Sequence, residues 1–307
     1  MSKAKEKIMD KKRVRSNILL VLTALIWGMA FVAQDMGMDY VGPFTFNAVR
    51  SFVGGIVLIP VIYILRRGHY VEVPKVGKAK KKSLVVLGGI CCGIALFLGS
   101  SLQQIGIMYT SVGKAGFITA LYILLVPIFG LFFRKKVGLK IWGSVVVALV
   151  GMYLLCVTEG VSVNKGDILV FLCAIAFSGH ILVIDYFSPY VDGVLMSCIQ
   201  FFTCGVLSAV VMIFREQVEI ANIIAAWKPI LYAGVMSCGV AYTLQIVAQK
   251  NTNPVVASLI LSLESVFACL FGWIMLGQVL SPKELGGCTL VFIAIIVAQL
   301  PDRRKKL

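Results

Sequence analysis

The sequence predicts an all-α integral membrane protein of ten transmembrane helices, arranged as two inverted repeats of five. Three observations carry that expectation: ten apolar runs, basic residues gathered on alternate connections, and a likeness between the two halves. A transmembrane helix needs about 20 predominantly apolar residues. Such runs fall at 17–36, 43–65, 84–108, 113–133, 138–157, 166–187, 193–214, 229–249, 254–276 and 282–300. Of 307 residues, 59% are hydrophobic and 14% charged, against roughly 45 to 50% and about 25% in soluble domains. The runs lack the alternation of barrel strands, which leaves helices as the means of satisfying the backbone in lipid.

The first run follows a basic stretch and so begins like a secretory signal. Its apolar part runs about 20 residues, beyond the 7 to 15 of a signal core, so a retained span is expected. The connections that follow are mostly short and carry turn formers, as in "DYVGP", "NTNP" and "GQVLSP".

Basic residues orient the chain. One side holds seven in the amino-terminal tail, seven in 66–82, four in 134–140, Lys250, and four after 302. The other holds Lys165, Arg215, Lys228 and Lys283. Basic connections stay inside, so both termini are expected in the cytoplasm and the chain in the cell membrane. The net charge of +15 is thus topological. It forms no aromatic-interleaved basic face, and nucleic acid is not an expected partner.

Within the halves, "QIGIMYT" (104–110) echoes "QIVAQKNT" (245–252), and "GLKIWGSVVVALVGMYLL" (138–155) echoes "SPKELGGCTLVFIAIIVAQL" (281–300). A repeat of five spans is odd-numbered, so its second copy enters from the opposite side. Inverted repeats of this kind build secondary transporters with a site at mid-membrane. The expected organisation is a basic tail at 1–16, repeats at 17–157 and 166–300, and a second basic tail at 301–307.

"LIWGMAFV" (25–32), "FNAVRSFVGG" (46–55), "ALYILLVPIFGLFFRKKVGLKIWG" (120–143) and "LILSLESVFACLFGWIMLGQVLSPKELGG" (259–287) resemble the EamA-type branch of the drug/metabolite transporter superfamily. The resemblance covers nearly all of 18 to 300. It implies ten helices in two inverted repeats around a central cavity, and transport of small metabolites such as amino acids or amines. It also implies that Arg50 and the Leu263–Glu264 pair serve the shared cycle more than substrate choice. Two positions depart from the pattern: Ser265 stands where Pro is usual, straightening the ninth helix, and Gln278 stands where Glu is usual.

Chemistry-bearing residues are few. GxxxxGK[ST], HExxH and GxSxG are absent, and there are two histidines, so no enzyme, ATPase or cofactor site is expected. His69 falls in the basic connection, where it is solvated. All nine cysteines lie inside apolar runs without CxxC or metal spacing, and read as small buried hydrophobes with no metal site.

Within the spans, Glu264 is a carboxylate at mid-depth, costly in lipid unless it faces a cavity or a partner. Ser258, Ser262, Ser265 and Cys269 form a small-residue packing stripe that leaves Glu264 on another face, free for a proton or an amine. Arg50 sits roughly 10 Å below the outer face at 1.5 Å per residue, within reach of Glu264 if helices two and nine are close. It either gates or binds anionic groups, or snorkels outward. In the eighth span Cys238, Tyr242, Gln245 and Gln249 share one helical face. Ser100, Gln103 and Gln104 do the same in the third, with Gln104 matching Gln245. Such amides suit a polar, zwitterionic solute or bond neighbouring helices.

Trp27, beside Gly28, stacks on a substrate or packs in the core. Tyr122 shares a face with Thr119. His180 relays protons or is satisfied structurally. Lys114 snorkels or attracts anions.

The function expected is a secondary transporter of small organic metabolites working by alternating access, with export as the direction and protons as the candidate coupling ion. Its partners are a small-molecule substrate and the bilayer, with a homodimer as the candidate assembly. The alternative is a channel-like or facilitative permease for another solute class, such as nucleosides or sugar phosphates. No repeated filter motif favours a channel.

Overall fold

The computed structural model describes residues 3–67, 78–132, 137–156, 164–276 and 281–299. His69, Gln278 and the 301–307 tail lie outside the described residues. Every regular element among the described residues is helical. In chain order these are α1 (Lys3–Met38), α2 (Pro43–Arg67), α3 (Lys78–Ile107), α4 (Val112–Thr119), α5 (Tyr122–Phe132), α6 (Leu139–Cys156) and α7 (Lys165–Phe187). They continue as α8 (Gly193–Arg215), α9 (Ile220–Ala225), α10 (Trp227–Leu231), a π-helix (Tyr232–Tyr242), α11 (Thr243–Gln249), α12 (Pro254–Leu261), α13 (Leu263–Leu276) and α14 (Pro282–Gln299).

Among the described residues, eight segments are long and apolar enough to cross a membrane: Lys12–Met38, Pro43–Arg67, Ser83–Ile107, Val112–Phe132, Lys165–Phe187, Gly193–Arg215, Trp227–Gln249 and Pro254–Met275. The fifth and tenth expected spans form shorter apolar helices, Leu139–Leu154 and Leu285–Ala298. Their helices, α6 and α14, pack against each other.

Polar residues at the ends set where helices begin. The Ser111 hydroxyl accepts from Lys114 N to cap α4, and the Asn253 side chain accepts from Val255 N to cap α12 ahead of Pro254. Asn164 and Asp167 form a reciprocal capping box on α7. The α2 amino terminus is capped from another helix end. Glu216 accepts from Phe44 N and Thr45 N, each at 2.8 Å, and from Thr45 Oγ1 at 2.6 Å. Free N–H groups and the helix dipole both favour a carboxylate there.

Two spanning segments are broken at mid-length. Between α4 and α5, Leu121 N bonds Ile118 O and Ile123 N bonds Ala120 O, a local tightening to i→i+3. Between α12 and α13 the break falls at Ser262, whose hydroxyl donates to Leu259 O at 2.7 Å, while Ser265 donates to Ser262 O at 2.8 Å. The expectation that Ser265 straightens this helix is therefore corrected. Serine back-bonding bends a helix without proline. The small-residue stripe does pack closely, as Gly116 lies against Ser265 and Gly113 against the Cys269 sulfur.

The π-helix has a cause in register. A Cβ on Gly93 would fall 2.8 Å from the Gln200 carbonyl oxygen and against Thr203; a Cβ on Gly234 would fall 3.1 Å from the Arg50 carbonyl oxygen and against Val53. One interval carries Arg50 to Gln200 and Val53 to Thr203, so the two glycines hold matching places. From Gly234 to the Asn253 cap there is one residue more than from Gly93 to the Ser111 cap. The 11 residues of π-helix absorb that extra residue, since i→i+5 bonding widens each turn.

Candidate functional site

Helices of both halves enclose a polar cavity of about 30 Å³, the room of about one water molecule. Its charged lining residues are Arg50 from α2 and Glu264 from the first turn of α13. Both are buried, at 6% and 3% exposure. Each has its own neutral partner. Arg50 Nη1 donates to Gln34 Oε1 of α1 at 2.8 Å and stacks on the Phe46 ring. Glu264 Oε1 accepts from the Tyr122 hydroxyl at 2.9 Å. No Arg50–Glu264 ion pair is found among the described residues. Arg50 and Glu264 thus share one cavity, each held by a hydrogen bond to a neutral partner, as ionisable groups inside a membrane span require.

The aromatic wall centres on Tyr242, the last π-helix residue. Its ring lies 4.5 Å from that of Trp27, 5.7 Å from Phe201 and 5.9 Å from His180. His180 Nε2 lies 3.0 Å from Gln200 Oε1. Gln103 Nε2 donates to Thr119 Oγ1 at 3.1 Å, whereas Gln245 lines the cavity with both amide atoms unpartnered.

Nine of the residues singled out in the sequence line this one cavity: Glu264, Arg50, Trp27, Tyr122, His180, Tyr242, Gln245, Gln103 and Thr119. Gln104 does not. Its amide donates to Gln34 O at 3.1 Å, and Gln103 takes the cavity position. Successive helical residues point about 100° apart, so the two neighbours cannot share a wall. The shared face expected of the eighth span is also corrected. Cys238, inside the π-helix, packs on Gly54, because a 100° wheel does not hold there, and Gln249, a turn past Gln245 in α11, donates to Ile181 O outside the cavity lining.

Lys114 lies outside the cavity, its Nζ 2.6 Å from Asp167 Oδ2, while Thr110 donates to Asp167 Oδ1. Gln34 and Gln200 escaped the sequence reading. Each is an amide in an apolar run, but only the fold shows that Arg50 and His180 need them.

An all-helical chain with spanning segments around a polar cavity is a multi-pass membrane protein. The model of the EamA-like transporter family matches it twice, over residues 14–157 and 164–299, and the chain belongs to that family. It is 32% identical over 291 residues to an uncharacterized transporter of Archaeoglobus fulgidus, covering 94% of this chain and 87% of the relative. The uncharacterized transporter YoaV of Bacillus subtilis is 21% identical, covering 94% and 97%. The uncharacterized inner membrane transporter YedA of Escherichia coli K12 is 22% identical, covering 90% and 88%. A crystal structure 19% identical in sequence matches with a TM-score of 0.74, over 95% of this chain and 99% of that one, and shares the fold. Members of this family are transporters rather than enzymes.

Proposed function

We propose that the chain is a secondary transporter that exports small organic metabolites of the amino-acid or amine type by alternating access. The observation that carries this is the cavity itself. Arg50 and Glu264 face one enclosed space without pairing with each other, which suits a solute bearing both an anionic and a cationic group. Glu264, whose hydrogen-bond partner in the cavity is the neutral Tyr122 hydroxyl, is the group that takes up a proton during the cycle.

The two-repeat organisation at 17–157 and 166–300 is part of this reading, with ten helices and the basic tails 1–16 and 301–307 in the cytoplasm. Support comes from matched intervals. One relates Trp27 to Phe177 and Arg50 to Gln200. The other relates Ser111 to Asn253, the break after Thr119 to that after Leu261, and Tyr122 to Glu264. Fixed spacing of caps, breaks and lining residues is what two copies of one unit produce. The short α6 and α14, packed as a pair, complete the set as the fifth and tenth helices.

Counterflow in proteoliposomes tests the reading, with labelled amino acids, amines and nucleosides, with and without an imposed pH gradient. Exchange of one class, accelerated by the gradient in wild type and not in Glu264→Gln, is the expected result. Downhill flux without exchange would point to the channel-like alternative and sink the carrier reading.

A further inference from the structure

The cavity wall is mostly self-satisfied. Arg50 is held by Gln34, Glu264 by Tyr122, His180 by Gln200, and Gln103 by Thr119. Against that background two groups stand out. Gln245, 1% exposed, has neither its Nε2 nor its Oε1 hydrogen bonded, and the indole Nε1 of Trp27 is likewise buried without a partner. Both residues line the cavity. Tyr242 links them along the wall: Gln245 lies one turn beyond it in the chain, and its ring centroid is 4.5 Å from that of Trp27.

Gln245 is unpartnered for a reason written in the sequence. Tyr122 and Glu264 are 142 residues apart, and the same interval carries Gln103 to Gln245 and Thr119 to Leu261. In the first half the glutamine meets a threonine hydroxyl. In the second the matching position is Leu261, whose side chain offers no acceptor. A buried amide with no partner is costly to a fold, so its retention beside an indole N–H marks a place kept for a ligand.

We propose that Gln245 and Trp27 form a subsite that reads a neutral carboxamide on the transported solute. The inference rests on the transporter reading above and narrows its substrate class. Gln245 offers donors and an acceptor side by side, and Trp27 adds one donor. A carboxamide matches this set. Its N–H donates to Gln245 Oε1, while its carbonyl oxygen accepts from Gln245 Nε2 and Trp27 Nε1. A carboxylate would set an oxygen against Oε1, and an ammonium would leave both N–H donors unmet. A site built on such bonds discriminates strongly against a solute lacking the matching group.

Matched amide and acid pairs isolate the functional group: glutamine against glutamate, asparagine against aspartate, and nicotinamide against nicotinate. Each is tried as an exchange substrate in counterflow and as a thermal stabiliser of the purified protein. In at least one pair the amide is expected to win by about tenfold or more. Gln245→Met keeps the side-chain length and should bring that pair to near parity. Leu261→Thr, which supplies the partner present in the first half, should do the same by occupying Gln245 internally. The second variant keeps the test decisive if the first fails to fold.

A wild type that exchanges other solutes while no amide beats its acid would overturn the inference and leave the transporter reading standing. So would an amide preference that survives in both variants. Folded wild type that exchanges nothing would overturn the transporter reading and this inference with it.

Discussion

The Tyr122 hydroxyl donates to Glu264 Oε1 at 2.9 Å, joining residues 142 apart in the chain. Each lies just past a helix break, Tyr122 opening α5 and Glu264 standing second in α13. Because the caps Ser111 and Asn253 are separated by the same interval, the bond links matching positions of the two halves. On the inverted arrangement proposed above, matching positions that touch lie beside the two-fold axis. The bond then marks the middle of the membrane, where a carrier holds its solute.

Removing the donor isolates the carboxylate. Tyr122→Phe is expected to lower stability by about 1 to 3 kcal/mol, because it leaves the buried Glu264 oxygen without its donor. Glu264→Gln keeps an acceptor oxygen and should melt close to wild type. Thermal unfolding of the two purified variants checks this; equal melting of Tyr122→Phe and wild type would refute it.

Gly28 sets the approach of α1 to α13. An added Cβ there would fall 2.8 Å from the Ala268 backbone nitrogen and against Phe267, so no side chain can swing aside to admit it. Gly28→Ala is expected to cost about 1 to 3 kcal/mol through overpacking, read as a lower melting temperature. Gly143, with nothing within 4 Å of its Cβ position, is the control and should tolerate alanine.

Asp167 does more than pair with Lys114. Its carboxylate also accepts from Thr110 Oγ1 at 2.8 Å and from Asn164 N at 2.9 Å. Lys114→Met should therefore be mild, at about 1 kcal/mol or less for a part-exposed pair. Asp167→Ala also loses the cap and should cost about 1 to 2 kcal/mol more. Equal melting of the two variants would contradict the shared role.

Glu216 is expected to hold α2 in place from the end of α8. Glu216→Ala strips three hydrogen bonds from the Phe44–Thr45 end and should destabilise by about 1 to 2 kcal/mol. Glu216→Gln, which keeps an acceptor, should recover part of the loss.

Hydrophobic runs and turn residues made the eight spanning segments legible, because lipid imposes length and apolarity directly on the chain. The mid-span breaks were not. They fall at Ala120–Leu121 and Ser262, where neither proline nor glycine stands, and they arise from serine back-bonding and local tightening. The π-helix was hidden too, since one extra residue in an apolar run changes no composition. Its consequence is the misplaced match of Gln104 with Gln245; counted from the helix caps, Gln103 is the partner. Arg50, Glu264 and Trp27 were legible as site candidates because charges and mid-span aromatics are conspicuous in lipid. Tyr122 was legible too, but its bond to Glu264, and Gln34 as the partner of Arg50, emerge only when the helices are assembled.

The most direct test of the cavity as the transport site compares one substitution at two arginines. Arg50→Gln removes the cation inside the cavity, whereas Arg66→Gln removes one near Asp192 at a helix end, where the arginine side chain is 55% exposed. Initial counterflow rates are measured for both in proteoliposomes, with folding matched by melting temperature. The account predicts a fall of about tenfold or more for Arg50→Gln and a rate near wild type for Arg66→Gln. A folded Arg50→Gln that exchanges solute as fast as wild type would contradict it.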